Sequence, residues 1–192
     1  MTTSAHQSQS GFTLVELLLV VAVAGILSGI AIVTLSQRLS QERLLAAARE
    51  THSWIDSQRR IAMTNGQACE ILIDQNNAHL DPSASTITLG TGQSILNSCR
   101  TQAVLRIRDA ISNGSGVTLS TTPGNVQAIR FSFRGLSEII TSQGDLTSQV
   151  ELRLSQSGSN KSRCIKIMSP LGLIRNGSSE TASGSCRYSS SF

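Results

Sequence analysis

Few residues in this chain stand where chemistry would need them. Its histidines are His6 near the N-terminus, His52 in a helical stretch and His79 among turn residues, and none has a nucleophile or carboxylate at a motif spacing. Each reads as a surface or packing residue. HExxH, GxSxG, a phosphate loop and GxGxxG are absent, and Gly90-Thr91-Gly92 alone is a turn signal. Asp and Glu are dispersed, with no cluster of oxygen ligands for calcium. The sequence therefore predicts no catalytic residue, no metal and no cofactor.

Two features do carry chemistry. The first is the set Cys69, Cys99, Cys164 and Cys186, an even number with no CxxC pair and so no metal-site spacing. Outside the cytoplasm such cysteines oxidise. Four allow three connectivities; pairing in sequence order, Cys69 with Cys99 and Cys164 with Cys186, closes the shortest loops and is the expected one, with buried reduced thiols as the alternative. The second feature is Glu16, the only charge in the 24-residue apolar run Phe12–Leu35. A carboxylate inside a membrane span costs roughly 2.5–3.5 kcal/mol, so it normally has a partner or a function.

That run divides the chain. The average composition is balanced, with 39% hydrophobic residues, but the remainder is rich in Ser, Thr, Gly, Asn and Gln with alternating apolar positions, enough for a modest core. Aromatics make up 3%, which leaves little for stacking on sugars or bases. A net charge of +4 permits contact with phosphates without implying it, since the basic residues are scattered. As a helix, the run would reach about 36 Å, enough to span a hydrocarbon core. It is too long for a secretory signal peptide, its polar leader has no Lys or Arg, and no A-x-A site follows. A plain membrane anchor fits the length but leaves Glu16 unexplained. Gly25 and Gly29, with Ser28 between them, form a GxxxG-like face suited to close helix packing.

Gly11-Phe12-Thr13-Leu14-Val15-Glu16 followed by a long apolar helix resembles the class III signal of type IV pilins and pseudopilins. The resemblance implies cleavage by prepilin peptidase between Gly11 and Phe12 and N-methylation of Phe12. It also implies a filament-assembly role for Glu16, which would neutralise the new amine of a neighbouring subunit. The implied location is the cytoplasmic (inner) membrane, single-pass with the head outside the cytoplasm, and then a pilus or pseudopilus. The implied partners are other pilin or pseudopilin subunits, prepilin peptidase and the membrane.

No turn signal interrupts the chain until Gly66, which reads as a C-terminal cap after Asn65. Leu44, Ala47, Ala48, Thr51, Trp54, Ile55, Ile61 and Ala62 fall on one helical stripe, with charged residues mostly opposite. Beyond Gly66 the period becomes two, predicting strands over Ala68–Asp74, Val104–Asp109, Gly116–Ser120, Ala128–Phe133, Val150–Leu154 and Cys164–Met168, and a Ser/Gly-rich tail from Asn176. The expected fold is α+β: a pilin fold with one long N-terminal helix packed on a largely antiparallel β-sheet. Its parts are a leader at 1–11, the membrane or filament-core half of the helix at 12–35, an amphipathic half at 36–66 and a β-sheet head at 67–192.

This plan is similar to the minor pseudopilin H group (GspH, FimT and FimU), most closely over Asp56–Asp74 and Arg163–Gly177. The absence of a calcium cluster suits a minor subunit. The resemblance implies a structural subunit of a type IV pilus or type II secretion pseudopilus that primes assembly or sits near the tip. Some FimT-like minor pilins bind DNA for uptake in transformation through a C-terminal Gly-Arg-x-Arg pattern. Here the stretch reads Gly172-Leu173-Ile174-Arg175, so only Arg175 matches, with Lys161, Arg163, Lys166 and Arg187 as further candidate DNA contacts. An anchored domain with no filament role is a third reading.

Overall fold

The structure is a computed structural model describing residues 13–84, 86–88, 94–107, 116–157 and 159–189, with the side chains at 27–37, 88 and 189 outside the description. Among the described residues a single helix, α1 (Leu14–Asn65), precedes thirteen strands. These are β1 (Cys69–Asp74), β2 (His79–Asp81), β3 (Thr86–Thr88), β4 (Ser94–Leu96), β5 (Leu105–Arg106), β6 (Val117–Thr122), β7 (Val126–Phe131), β8 (Ser137–Thr141), β9 (Leu146–Thr147), β10 (Gln149–Gln156), β11 (Ser162–Met168), β12 (Leu173–Ser179) and β13 (Arg187–Ser189). Two compact units divide the chain, residues 1–39 and residues 40–192.

The helix ends where its sequence says it must. Gly66 adopts φ +64°, open to glycine at little cost, and the Gln67 amide returns to the Ala62 carbonyl at 3.2 Å, satisfying an orphan acceptor of the last turn. Within the second unit, Leu44, Ala47, Ile55 and Ala62 of α1 are buried in one core with the strands. Trp54 and Ile61 pack against its edge.

The strands form two main antiparallel sheets rather than one. The first has the order β5-β2-β1-β7-β8-β9, the second β13-β12-β11-β10-β6, and β3 pairs with β4 in a separate hairpin. Alternation sets which face is buried: Cys69, Ile71 and Ile73 in β1, and Val150, Leu152 and Leu154 in β10, all point into the core. The sheets are stitched along their ends. The Ser137 amide bonds the Pro170 carbonyl at 2.8 Å and the Ser169 hydroxyl bonds the Ser137 carbonyl at 2.8 Å. Elsewhere, Gln75 donates to the Gly124 carbonyl at 3.0 Å and accepts from the Thr121 amide at 3.3 Å.

Several sequence expectations change here. The expected tail from Asn176 contains the second half of β12 and all of β13. β12 pairs with β11 over seven residues, so its order comes from a neighbour rather than from its own Ser- and Gly-rich composition. Strand β8 went unassigned because SEIIT is short and follows a tight turn, yet Ile139 is fully buried. Val104–Asp109 yields only β5, and residues 108 and 109 lie outside the described set. His79 is not in a loop but begins β2, with Nε2 3.8 Å from Asp74 Oδ2.

Candidate functional site

At the N-terminus Thr13 stands just before α1, and its Oγ1 accepts the Glu16 amide at 3.3 Å. Thr13-Leu14-Val15-Glu16 thus has the spacing of a capping box, with a carboxylate in the first turn of the helix, where the backbone dipole favours negative charge. Sequence reasoning assigned Glu16 a partner in another subunit and missed this local role, for which the signal was Thr-x-x-Glu itself. Gly11 and Phe12 lie outside the described residues. Every described side chain from Thr13 to Ile26 is exposed, Leu14 by 75% and Ile26 by 68%. Gly25 has open space where a Cβ would stand, and the Ser28 side chain lies outside the description. Among the described residues no helix is long and apolar enough to cross a membrane. The apolar run Phe12–Leu35 falls only partly within that set, since Phe12 and the side chains from 27 onward are outside it.

The cysteines pair in sequence order. Cys69 and Cys99 join with Cα atoms 5.3 Å apart, both fully buried, tying the start of β1 to the loop after β4. Asn97 reinforces this junction: its Nδ2 donates to the Glu70 and Pro82 carbonyls at 3.0 Å each, and its Oδ1 accepts the Glu70 amide at 3.0 Å. Its side chain takes the place that β2 leaves empty beside β1. Cys164 in β11 joins Cys186 just before β13, holding the edge of the second sheet.

The five candidate DNA contacts do not share one face. Lys166 and Arg175 are cross-strand partners on β11 and β12, on the side of the second sheet turned away from the core. Arg163 and Arg187 both stand opposite Ser178, and Arg163 alternates with core residues Ile165 and Ile167, so these two lie on the side facing α1. Lys161 precedes β11 and binds Glu180 Oε2 at 3.0 Å. That hydrogen bond and the ammonium charge hold the Glu180 carboxyl below its ordinary value, with Arg163 and Arg187 adding to the effect.

The outward face carries a second cluster. Glu151 accepts the Tyr188 hydroxyl on one oxygen, and Arg153 Nη2 on the other at 2.9 Å. Burial, then the bond to Glu151, push the Tyr188 phenol well above its ordinary value. Lys166 Nζ lies 5.4 Å from the Tyr188 ring centroid, a cation–π distance. Glu151, Cys164 and Cys186 bring donor atoms within 4.8 Å of one another, but both sulfurs are spent in the disulfide, so the trio offers one carboxylate and no thiolate.

Two further arginines were not among the predicted site residues, although Arg59 stands in the stretch Asp56–Asp74 that carries the resemblance. Arg130 grips Glu70 and reaches Glu138 on the outer face of the first sheet. Arg59 on α1 donates to the Gly135 carbonyl at 3.0 Å and approaches the Leu171 carbonyl at 3.5 Å, bracing a turn of each sheet against the helix. Gly172 there has φ +65°, and an added Cβ would stand 2.6 Å from the Gly135 carbonyl oxygen, so only glycine fits.

Residues 6–32 match the family described as the prokaryotic N-terminal methylation motif. No curated protein matches the chain. Among solved structures it is similar to the type IV minor pilin FimU of Pseudomonas aeruginosa strain PAO1, at 18% identity over 70% of this chain and 87% of that one. The TM-score is 0.43, too slight a likeness to bear on function. The chain thus carries a prokaryotic N-terminal methylation motif that runs into the first half of α1, followed by antiparallel sheets.

Proposed function

We propose that the chain is a minor pilin or pseudopilin, cut after Gly11, methylated on Phe12 and built into a type IV pilus or a type II secretion pseudopilus. The supporting observation is the helical segment Leu14–Ile26, whose described side chains are all exposed and whose one charge is Glu16. Apolar surface on every side has no stable place in water; it needs lipid first and the helices of other subunits afterwards. Before assembly, Phe12–Leu35 would cross the inner membrane with the head outside the cytoplasm. Cleavage leaves a cationic amine at Phe12, and pairing with a neighbour's Glu16 turns two costly groups into one pair and sets the axial register.

The capping box supplies a competing account in which Glu16 serves only its own helix. Glu16→Gln separates the two, because it removes the charge but keeps a side chain that serves the capping box, while Glu16→Ala removes both. We expect both variants to insert in the membrane and to be processed, but to be strongly depleted from sheared filaments. Normal incorporation of both would sink the filament role. Whether secretion or pilus genes lie beside this one would tell the two filament systems apart.

A second reading, a DNA-binding minor pilin, draws support from one pair. Lys166 and Arg175 are cross-strand like charges on the outward face, with Glu151 of β10 on the other side of Lys166. Duplex DNA binding that weakens steeply with salt and fails in the Lys166→Gln/Arg175→Gln double variant is its expected signature.

A further inference from the structure

The two disulfides sit in different surroundings. Cys69 and Cys99 are fully buried, and the groups that meet the Cys99 sulfur, Asn97 Oδ1 at 3.1 Å and the Glu70 carbonyl at 3.6 Å, are neutral. Cys164 and Cys186 lie among charges, and Cys186 is only half-buried. Cys164 alternates with the core residues Ile165 and Ile167, so it shares the outward side of β11 with Lys166, two residues along. Its cross-strand partner on β10 is Arg153, and the partner of Lys166 on β12 is Arg175. Directly opposed side chains on one face start about 4.5–5.5 Å apart. The other sulfur has the opposite company: Cys186 Sγ stands 3.3 Å from Glu151 Oε1.

This asymmetry sets a course for reduction. A thiolate of an incoming dithiol attacks Cys186 Sγ, and the electron pair of the broken S–S bond goes to Cys164 Sγ. That sulfur leaves as a thiolate, which Arg153 and Lys166 stabilise, and a stabilised thiolate leaves faster. The second thiolate of the dithiol then displaces Cys186, closing the dithiol's own disulfide. Cys186 takes up one proton, the other goes to water, and the new S–H finds Glu151 Oε1 in place as its acceptor. Apart from this bond, β13 is held by three residues of pairing with β12 and by the Tyr188 hydroxyl on Glu151. We propose that Cys164–Cys186 is a redox switch, opened by a dithiol in the folded chain to free β13 while Cys69–Cys99 stays closed.

To test this, the full chain in non-ionic detergent is treated with dithiothreitol at neutral pH, trapped with N-ethylmaleimide at intervals and mapped by peptide mass. Cys164 and Cys186 should be labelled at least about tenfold faster than Cys69 and Cys99, with hydrogen exchange rising first at β13. The charges fix the signs of three variants. Arg153→Gln and Lys166→Gln should each slow the reduction about threefold or more, whereas Glu151→Gln should speed it. Mere loosening of the sheet would speed all three. Arg134→Gln, at an exposed position in the β7–β8 turn, should leave the rate unchanged. The proposal is overturned if the two disulfides open together, if neither opens short of unfolding, or if Arg153→Gln and Lys166→Gln fail to slow the reaction.

Discussion

Arg130 holds Glu70 Oε2 through Nε at 2.9 Å and through Nη2 at 2.7 Å, and both side chains are almost wholly buried, at 11% and 12% exposure. Burial removes the water that would otherwise solvate either charge, so each depends on the other. Arg130→Ala should cost about 3–5 kcal/mol because Glu70 is left buried and uncompensated, whereas the Arg130→Met/Glu70→Met double variant should cost much less. Urea denaturation followed through Trp54, the one tryptophan, checks both. Tyr188 is the one tyrosine, so absorbance titration reads it alone. Its folded-state value lies above the unfolded value of about 10, so the neutral phenol contributes stability that is intact below that pH and lost as pH rises beyond it. Native protein should show no phenolate band near pH 10, and the band should appear only with alkaline unfolding. Glu151→Gln should lower the onset, because it removes the negative charge beside the ring but not the burial. Neither Arg130 nor Tyr188 was legible as part of a pair. Their partners are distant in sequence, and only the pairing of β1 with β7, and of β10, β11, β12 and β13 in order, brings them together.

The elements differ in how plainly the sequence announced them. Helix α1 was legible to its last residue, because a Gly- and Pro-free stretch with one apolar stripe and a terminal glycine specifies both its course and its end. β1, β10 and β11 were legible from alternation, since each buries every second residue or nearly so. β12 and β13 were not. Composition marks their segments as loop, and their order comes from hydrogen bonding to β11 and from the Cys164–Cys186 bond. The other disulfide joins cysteines 30 residues apart and encloses β1, the three-residue strand β2 and the short hairpin β3–β4. Replacing both Cys69 and Cys99 by Ser should therefore destabilise the head by about 3–4 kcal/mol on a chain-entropy estimate, measured by denaturation against the intact chain. Removing Cys164 and Cys186 together should cost a similar amount and, in addition, raise hydrogen exchange at β13, the edge strand, ahead of the rest of its sheet.

Across the whole molecule, processing is the first event proposed, and it depends on the residues before α1. Gly11→Val should leave the precursor uncut, seen as a chain heavier by residues 1–11 in intact mass, and should keep it out of filaments while it remains membrane-bound. The N-terminal motif, the long helix and the α+β plan were set by the sequence alone, because each rests on local spacing: a glycine beside a phenylalanine, a glutamate in an apolar run, a stripe at helical period. Disulfide connectivity was open among three choices until β1 and β11 placed the sulfurs. Only the tertiary structure decided how the C-terminal cations divide. Strand parity sends Lys166 and Arg175 outward and turns Arg163 and Arg187 toward α1, and a one-residue difference in register would reverse that. Sequence lists side chains in order; the pleat of a sheet, fixed by which residue the core buries, assigns them to faces.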